Sequence, residues 1–468
     1  MDKMRHLYAA FVAVAVSCLF LQNVAAKTGP EHGKVVVCYV ATWAVYRPGL
    51  GSYALEDIDS TLCTHLIYSF AGLNATTDSL KSLDPWQDLK DDYGKGGYER
   101  ITALRGRAPH LKVSLAVGGW TEGSENYSKM AADPDRRRRF IHSALEFIKK
   151  YNFDGLDLDW EFPGKRGGAP EDKRNFVLLV KELREEFDKR GYILTAALGA
   201  SRETIDLAYD IKQLKGLLDF FHLMCYDYHG AWDGRVGGNA PIKGGDLSIE
   251  TTVDYLLQLG APPEKLVLGI PFYGRTFVVE QHWDALDGSE VPLGLSAKSA
   301  GFRGPYTRED GFMGYNEICT ALNNSTGGWQ SGWDSEGSQA IAWTKTGPEN
   351  ETLHVVTYDS TRSVANKMRF LVQRKLAGAM SWSIDTDDFH GNCPNSEYAE
   401  TYMDYHYYRP SGKNSGSRKY PLLRTINEAI TVAQEELRKE EENLIPKHDD
   451  GDQAQQVVVI LVQESLDV

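Results

Sequence analysis

After its first two dozen residues the chain has no apolar run long enough to cross a bilayer, so a bundle of membrane helices is excluded. It also lacks positive charge. Lys and Arg number 51 against 65 Asp and Glu, a formal net charge of −14. Binding phosphates needs a basic face, so no nucleic-acid partner is expected. The one basic run, Arg136 to Arg139, follows Asp133-Pro134 at a helix start and reads as a solvated helix face. No internal repeat is visible beyond an alternation of strand and helix.

The 42% apolar and 25% charged fractions are those of a soluble globular protein. At 468 residues the chain exceeds an ordinary single core of ~100–200, leaving two domains or one large barrel with an insertion. Lys3 and Arg5 precede an apolar stretch from Leu7 to Leu21, and Val24-Ala25-Ala26 suits cleavage. Residues 1–26 are therefore expected to be a secretory signal, and the protein extracellular. Five cysteines would remain, at 38, 63, 225, 319 and 393. Cys225, inside the apolar run "FFHLMCYDY", is expected to stay free, leaving two bridges among the others. Sequons at Asn74, Asn126, Asn323, Asn324 and Asn350 agree with a secreted glycoprotein. From Thr431 onward ten acidic and three basic residues contribute −7, and residues 433–468 are expected to be a disordered acidic tail.

Apolar, β-rich runs recur: "VVVCYVATW" from 35, "THLIYSFAG" from 64, "KVSLAVGGW" from 112, "DGLDLDWEF" from 154, "YILTAALGAS" from 192, "DFFHLMCYDY" from 219, "LVLGIPFYG" from 266 and "AGAMSWSID" from 377. Between several of them apolar residues recur three or four apart, as in Phe176, Leu179, Val180, Leu183 and Phe187. Strand alternating with helix implies a parallel sheet, and eight near-continuous apolar strands fit a closed α/β barrel, the (β/α)8 TIM barrel. Strand starts lie 27 to 48 residues apart up to the seventh, but the last interval is 111. A small α+β insertion domain, residues 274–353, is therefore expected between strands seven and eight. Residues 27–273 and 354–432 would form the barrel.

The fourth run carries the chemistry. Side chains alternate across a strand, so in "FDGLDLDWEFPG" Asp157, Asp159 and Glu161 share one face and Leu156, Leu158 and Trp160 the other. In a barrel the apolar set packs against helices and the acids point into the lumen. Burying three like charges by accident is too costly, which argues for a site rather than an exposed polar edge strand. Crowding and burial both raise a carboxyl pKa, so the acid nearest the mouth, Glu161, can keep its proton near neutrality and serve as a general acid. A divalent metal is the competing use of clustered carboxylates, but the lumen runs offer no further carboxylate or histidine cluster to complete a shell. No metal and no cofactor are expected.

The other strand ends add aromatics: Trp43 and Tyr46, Phe70, Gly118-Gly119-Trp120, Met224 with Tyr226 and Asp227, Tyr273 with Arg275, and Trp382. Aromatic walls suit sugar rings, whose C–H faces stack while their hydroxyls find polar partners. With "KVSLAVGGW" at 112, "FDGLDLDWEFP" at 153, "MCYDYHG" at 224 and "GAMSWSIDTDD" at 378, in order on four strands, the sequence resembles the family 18 glycoside hydrolases, and among them the secreted chitinases of insect type that carry an insertion domain.

The resemblance implies hydrolysis of β-1,4-linked N-acetylglucosamine polymers, chitin or chito-oligosaccharides, by a retaining, substrate-assisted route, endo-acting rather than exo-acting, in a monomer with no membrane partner. Glu161 would be the general acid, and Asp159 would hold the substrate's N-acetyl group. Asp157 would share a proton with Asp159, and Tyr226 and Asp227 would contact the reacting sugar. Trp382 would lie under that sugar. Tyr39, Trp43, Phe70, Gly119, Trp120, Met224, Tyr273, Arg275 and Met380 would line the cleft. The resemblance also pairs Cys38 with Cys63 and Cys319 with Cys393. Phe162 and Thr121 depart from the residues many relatives carry, and no cysteine after Cys393 supplies a chitin-binding module. The alternative within the family is a non-catalytic chitinase-like lectin or growth factor, which commonly lacks the acid that Glu161 supplies.

Overall fold

In a computed structural model of the chain, residues 28–280, 290–346, 352–393 and 419–444 are described. The expected signal segment, the sequon at Asn350 and the far end of the acidic tail lie outside them. The described chain begins with β1 (Val35–Ala41), β2 (His65–Asn74) and the short β3 (Ser79–Ser82). It continues with β4 (Lys112–Gly118), β5 (Gly155–Asp159), β6 (Ile193–Gly199), β7 (Phe220–Met224) and β8 (Leu266–Pro271). Then come β9 (Tyr273–Val279), β10 (Phe312–Gly314), β11 (Gln330–Asp334), β12 (Gln339–Thr346), β13 (Thr352–Tyr358) and β14 (Gly378–Trp382).

Eight of these pair in parallel as β1-β2-β4-β5-β6-β7-β8-β14, and β14 pairs back onto β1. The ring closes. This is the expected (β/α)8 barrel, in which β3 only extends β2 as an antiparallel hairpin. A large core lies between strands and helices, formed by outward residues such as Leu156, Leu158, Leu194 and Leu268 with Phe140, Phe176 and Leu371. A smaller core fills the lumen, with Val37, Tyr39, Ile67, Ala116, Tyr226, Val267, Tyr273 and Met380.

The remaining strands form a five-stranded antiparallel sheet in the order β10-β9-β13-β12-β11, and the helix Tyr315–Asn323 follows β10. These extra strands fit an insertion domain between the seventh and eighth barrel strands. They run from Tyr273 to Tyr358, where the sequence suggested 274–353. The apolar run "LVLGIPFYG" is two strands rather than one. The break falls at Phe272, whose N–H donates to Trp382 O (2.8 Å), so Tyr273 opens the second sheet while its ring still packs in the barrel lumen.

Helix ends follow local chemistry. Asp133 accepts from Asp135 N (2.7 Å) and Arg136 N (3.1 Å) and Pro134 occupies the first turn, which starts the helix Pro134–Tyr151. Ser248 starts Ile249–Gln258, and Ser360 with Ser363 starts Thr361–Gln373. The arginine run is not a uniformly solvated face. Arg137 is buried and pairs with Glu182 on the helix Asp172–Asp188 (2.7 Å), because its position on Pro134–Tyr151 faces that neighbour.

The last helix, Pro421–Leu444, runs through residues 433–444, which were expected in a disordered tail. High acidic content masked an amphipathic stripe: Ile426, Ala429, Ile430 and Ala433 are buried and Leu437 packs on the same core. Glu436 pairs with Arg369 (2.6 Å) and Gln434 Nε2 donates to His32 O (3.0 Å), so several of its polar groups have partners in the barrel. No helix among the described residues is long and apolar enough to cross a membrane.

Where β13 passes into the helix Thr361–Gln373, Lys367 and Asp359 form a fully buried ion pair at 2.5 Å, and Ser363 Oγ donates to the same carboxylate (2.6 Å). Removing one partner leaves the other charge in low dielectric. Lys367→Met is expected to cost about 3–5 kcal/mol of stability in denaturant unfolding, and the double change with Asp359→Leu to recover most of it. A single variant as stable as the parent would contradict this reading of the junction.

Candidate active site

The acidic run forms β5, and the alternation expected from its spacing holds. Leu156, Leu158 and Trp160 belong to the strand–helix core, with Trp160 edge-on to Phe176. The acids take the other face. Asp157 lies level with Ala116 on one side and Thr195 on the other, and Asp159 with Gly118, so both stand inside the ring. Glu161 comes just beyond the strand's C-terminal end, half-buried at the mouth.

Neighbours set the three acids apart. Asp157 is fully buried and accepts from Tyr39 Oη on β1 (2.5 Å) and Thr195 Oγ1 on β6 (2.5 Å). His222 Nδ1, from β7, lies 3.1 Å from the Asp157 carboxylate and 2.8 Å from Tyr39 Oη. Burial alone would raise this carboxyl's pKa, but His222, Thr195 and Tyr39 together outweigh burial and hold it below the usual value. Asp159 is pushed the opposite way. Burial first, then the charges of Asp157 and Glu161, raise it well above an ordinary aspartate, and its Oδ2 has no hydrogen-bond partner among the described residues. Burial also raises Glu161 to about 7, with Asp227 adding to the shift and the Arg166 guanidinium opposing it.

The column thus favours the ionised form at its base and the protonated form toward the mouth. Chemically it can deliver a proton from Glu161 and engage a polar ligand group at the free Asp159 oxygen.

Tyr226 is buried facing Asp159, Asp227 and Glu161, which together with burial raise its phenol. Asp227, at φ 56°, accepts from Tyr273 Oη (2.6 Å) and Arg275 Nε (2.7 Å). Tyr39, Tyr273 and Met380 are lumen core, with Phe70, Met224 and Trp382 packed against them. Trp382 meets Phe70 (5.7 Å, 27°), Tyr39 (5.6 Å) and Trp43 (6.2 Å), and Trp43 is 45% exposed. Gly119 has φ 87°, and a Cβ there would lie 2.7 Å from the Phe70 ring, so only glycine lets β4 end beside that ring. Trp120 is set apart from this group. It is 61% exposed and lies under the Arg166 guanidinium, 3.5 Å from the ring centroid.

Other contributors were not singled out from the sequence. Thr195 and His222 come from runs read only as apolar strands, and Tyr209 from a stretch given no reading, yet Phe220, His222 and Met224 share a face by the period of two, a signal that could have found His222. Asn239, buried in the loop after β7, accepts from Asp227 N (3.0 Å) and donates to Tyr273 O (3.1 Å), and no local pattern announces it. Gly269 on β8 makes room for Tyr226 and Met380, each within 2.9 Å of where its Cβ would stand. Trp232, 55% exposed, lies 5.1 Å from the Arg275 guanidinium. Cys38 is bonded to Cys63 and Cys319 to Cys393, while Cys225 is buried and free.

A family model described as glycosyl hydrolases family 18 matches residues 35–387. The chain is 56% identical over 433 residues to "Probable chitinase 2" of Drosophila melanogaster, covering 92% of this chain and 86% of that protein. Identity to the "Endochitinase" of Manduca sexta is 39% over 373 residues, which is 76% of this chain but only 64% of the moth protein. The crystal structure of the Ostrinia furnacalis Group IV chitinase in complex with allosamidin is similar with a TM-score of 0.73 at 39% identity, covering 86% of this chain and 99% of that one.

The raised Glu161 pKa has a thermodynamic sign. The folded state binds its proton more tightly than the unfolded chain, so stability from this group is full below about 4.5 and is lost as pH rises to about 7. Glu161→Gln removes the dependence. Its melting temperature is expected to match the parent near pH 4 and exceed it near pH 8 in scanning calorimetry. A difference that does not grow across that interval would contradict the assignment.

Proposed function

Since the chain belongs to the family 18 glycosyl hydrolases, we propose that it is a secreted, endo-acting chitinase that cleaves β-1,4-linked N-acetylglucosamine polymers with Glu161 as general acid. The observation that carries this reading is the split within one column of acids: a carboxylate held ionised at Asp157, a raised Asp159 with an unpartnered oxygen, and a mouth carboxyl, Glu161, near 7.

Glu161 gives its proton to the glycosidic oxygen as the bond from that oxygen to the anomeric carbon breaks. The substrate's own acetamido oxygen forms the new bond to that carbon from the opposite face, giving an oxazolinium whose later opening by water restores the original configuration. Asp159 orients the acetamido group and, by passing its proton to Asp157 beneath it, becomes the carboxylate that offsets the developing positive charge. Tyr226 and Asp227 position the same sugar from the end of β7, two strands along the ring. Water then attacks the anomeric carbon and gives its proton to the Glu161 carboxylate, restoring the acetamide and the acid.

Trp382, Tyr39, Phe70, Met224, Met380, Tyr273 and Gly119 shape the floor and wall of the reacting subsite. The aromatics support a long groove: Trp43 beside Phe70 and the pair Tyr46–Trp86 are about half exposed, and Trp120 and Trp232 are exposed as well. Several platforms favour attack within a polymer. Among the sequons, Asn74 closes β2 ahead of an exposed turn and Asn324 stands in one, and their side-chain oxygens accept from Thr76 N (3.0 Å) and Thr326 N (3.1 Å), a surface placement that supports glycan attachment there.

Glu161→Gln is expected to abolish hydrolysis of a fluorogenic chitobioside while chito-oligosaccharide binding survives in calorimetry. Normal turnover by this variant would show that the acid is misassigned. In the parent, the protonated acid is lost as pH rises through about 7, so the rate at low substrate should fall on an alkaline limb there. A rate that stays flat from pH 5 to 9 would contradict the mechanism. Timed product analysis on defined oligomers tests endo action, with mixed internal products expected rather than a single dimer series.

A further inference from the structure

The loop that follows Glu161, "PGKRGG", is built to hold one side chain. Buried Asp172 accepts from Gly164 N (3.2 Å) and Ala169 N (2.8 Å) at the two ends of the loop, and Ser128 Oγ donates to it as well (2.7 Å). Lys165 N donates to Phe162 O (3.0 Å) and Gly168 N to Lys165 O (2.9 Å), closing successive turns. Lys165 Nζ anchors the outer side on Thr204 Oγ1 (3.1 Å). Arg166 sits at the crest with φ 51°, a left-handed conformation that an arginine adopts only when its surroundings impose it.

From there a single Arg166 nitrogen, Nη1, donates to Trp120 O (2.7 Å) and Glu161 O (3.1 Å), while the guanidinium covers one face of the Trp120 indole at 3.5 Å. One cation therefore ties the chain after β4, which carries an exposed aromatic platform, to the chain after β5, which carries the acid. We propose that Arg166 is a positioning residue with two separable jobs: its flat guanidinium fixes the Trp120 platform against the acid-bearing segment, and its positive charge, held 3.1 Å from the Glu161 carbonyl, favours the ionised form of that residue.

The two jobs need different parts of the side chain. Stacking on the indole needs a flat guanidinium, whereas the field at Glu161 needs only a positive charge. The other charged or titratable groups facing Glu161 are Asp159 on its own strand, Tyr209 beyond β6, and Tyr226 and Asp227 beyond β7, with Arg275 behind Asp227. Arg166 is the cation that directly lowers Glu161, opposing Asp227. Because Arg166 is solvent-exposed, its field is screened by salt, and the effect belongs to low ionic strength.

The second job rests on Glu161 being the acid, so the test reads the carboxyl and the rate separately. The full chain and the Arg166→Gln and Arg166→Lys variants, each checked for folding by circular dichroism, are titrated by carbon-13 NMR of the Glu161 carboxyl at low salt. Their pH–rate profiles are measured on chitotetraose. Arg166→Gln is expected to move the Glu161 midpoint and the alkaline limb to higher pH and to raise KM about five-fold, the size of an exposed cation–π contact. Arg166→Lys should restore the midpoint but not KM, and 1 M salt should shrink the Gln–parent difference. A midpoint unmoved in Arg166→Gln, or moved equally in Arg166→Lys, overturns the electrostatic job. A KM fully rescued by Lys overturns the platform job. If the NMR midpoint moves and the rate limb does not, the proposal for Arg166 stands and Glu161 is not the acid.

Discussion

The structure depends on the way Asp157 is kept charged in a buried lumen. An isolated carboxylate at full burial would protonate, because its desolvation cost exceeds what the interior returns. Here three strands each lend a partner to Asp157: Tyr39 from β1, Thr195 from β6 and His222 from β7. With that negative charge fixed, a second charge two residues along the strand is disfavoured, and Asp159 is driven to keep its proton. Each unit of pKa displacement corresponds to about 1.4 kcal/mol, so a column of this kind stores free energy that a bound ligand can draw on.

The barrel makes this arrangement possible. A parallel ring brings the strands' C-terminal ends to one mouth and leaves alternate residues pointing inward, so a five-residue strand suffices to stack acids from base to rim. Room at the rim comes from small residues placed against large ones: Gly119 beside Phe70, and Gly269 beneath Tyr226 and Met380. The second sheet matters to the site as well. It starts at Tyr273, immediately after the break at Phe272, and so delivers Tyr273 and Arg275 to Asp227 from outside the barrel proper.

Much of this was legible in the sequence, and unevenly. Period-two alternation showed which face of β5 carries acids, and the 111-residue gap before the last apolar run showed where extra structure enters. Contacts across the ring were not legible, because Tyr39, Thr195, His222 and Asp157 meet only once strand order and register are set. Asn239 and Arg166 act from loops through backbone atoms, which leave no residue pattern. The acidic end misled for another reason. Charge counting saw repulsion in residues 433–444, whereas the helix there buries a narrow apolar stripe and sets two of its acids, Glu436 and Glu442, beside arginines. Arg137 was misjudged likewise, since a helix face between two neighbours cannot be told from a solvated one by charge alone.

Neutron diffraction from deuterated crystals at pH 6 addresses the central claim most directly, since it locates the protons in the column. The account requires a deuteron on Asp159 and on Glu161, and a bare Asp157 receiving deuterons from Tyr39 and Thr195. A deuteron on Asp157 with Asp159 and Glu161 both bare would contradict it.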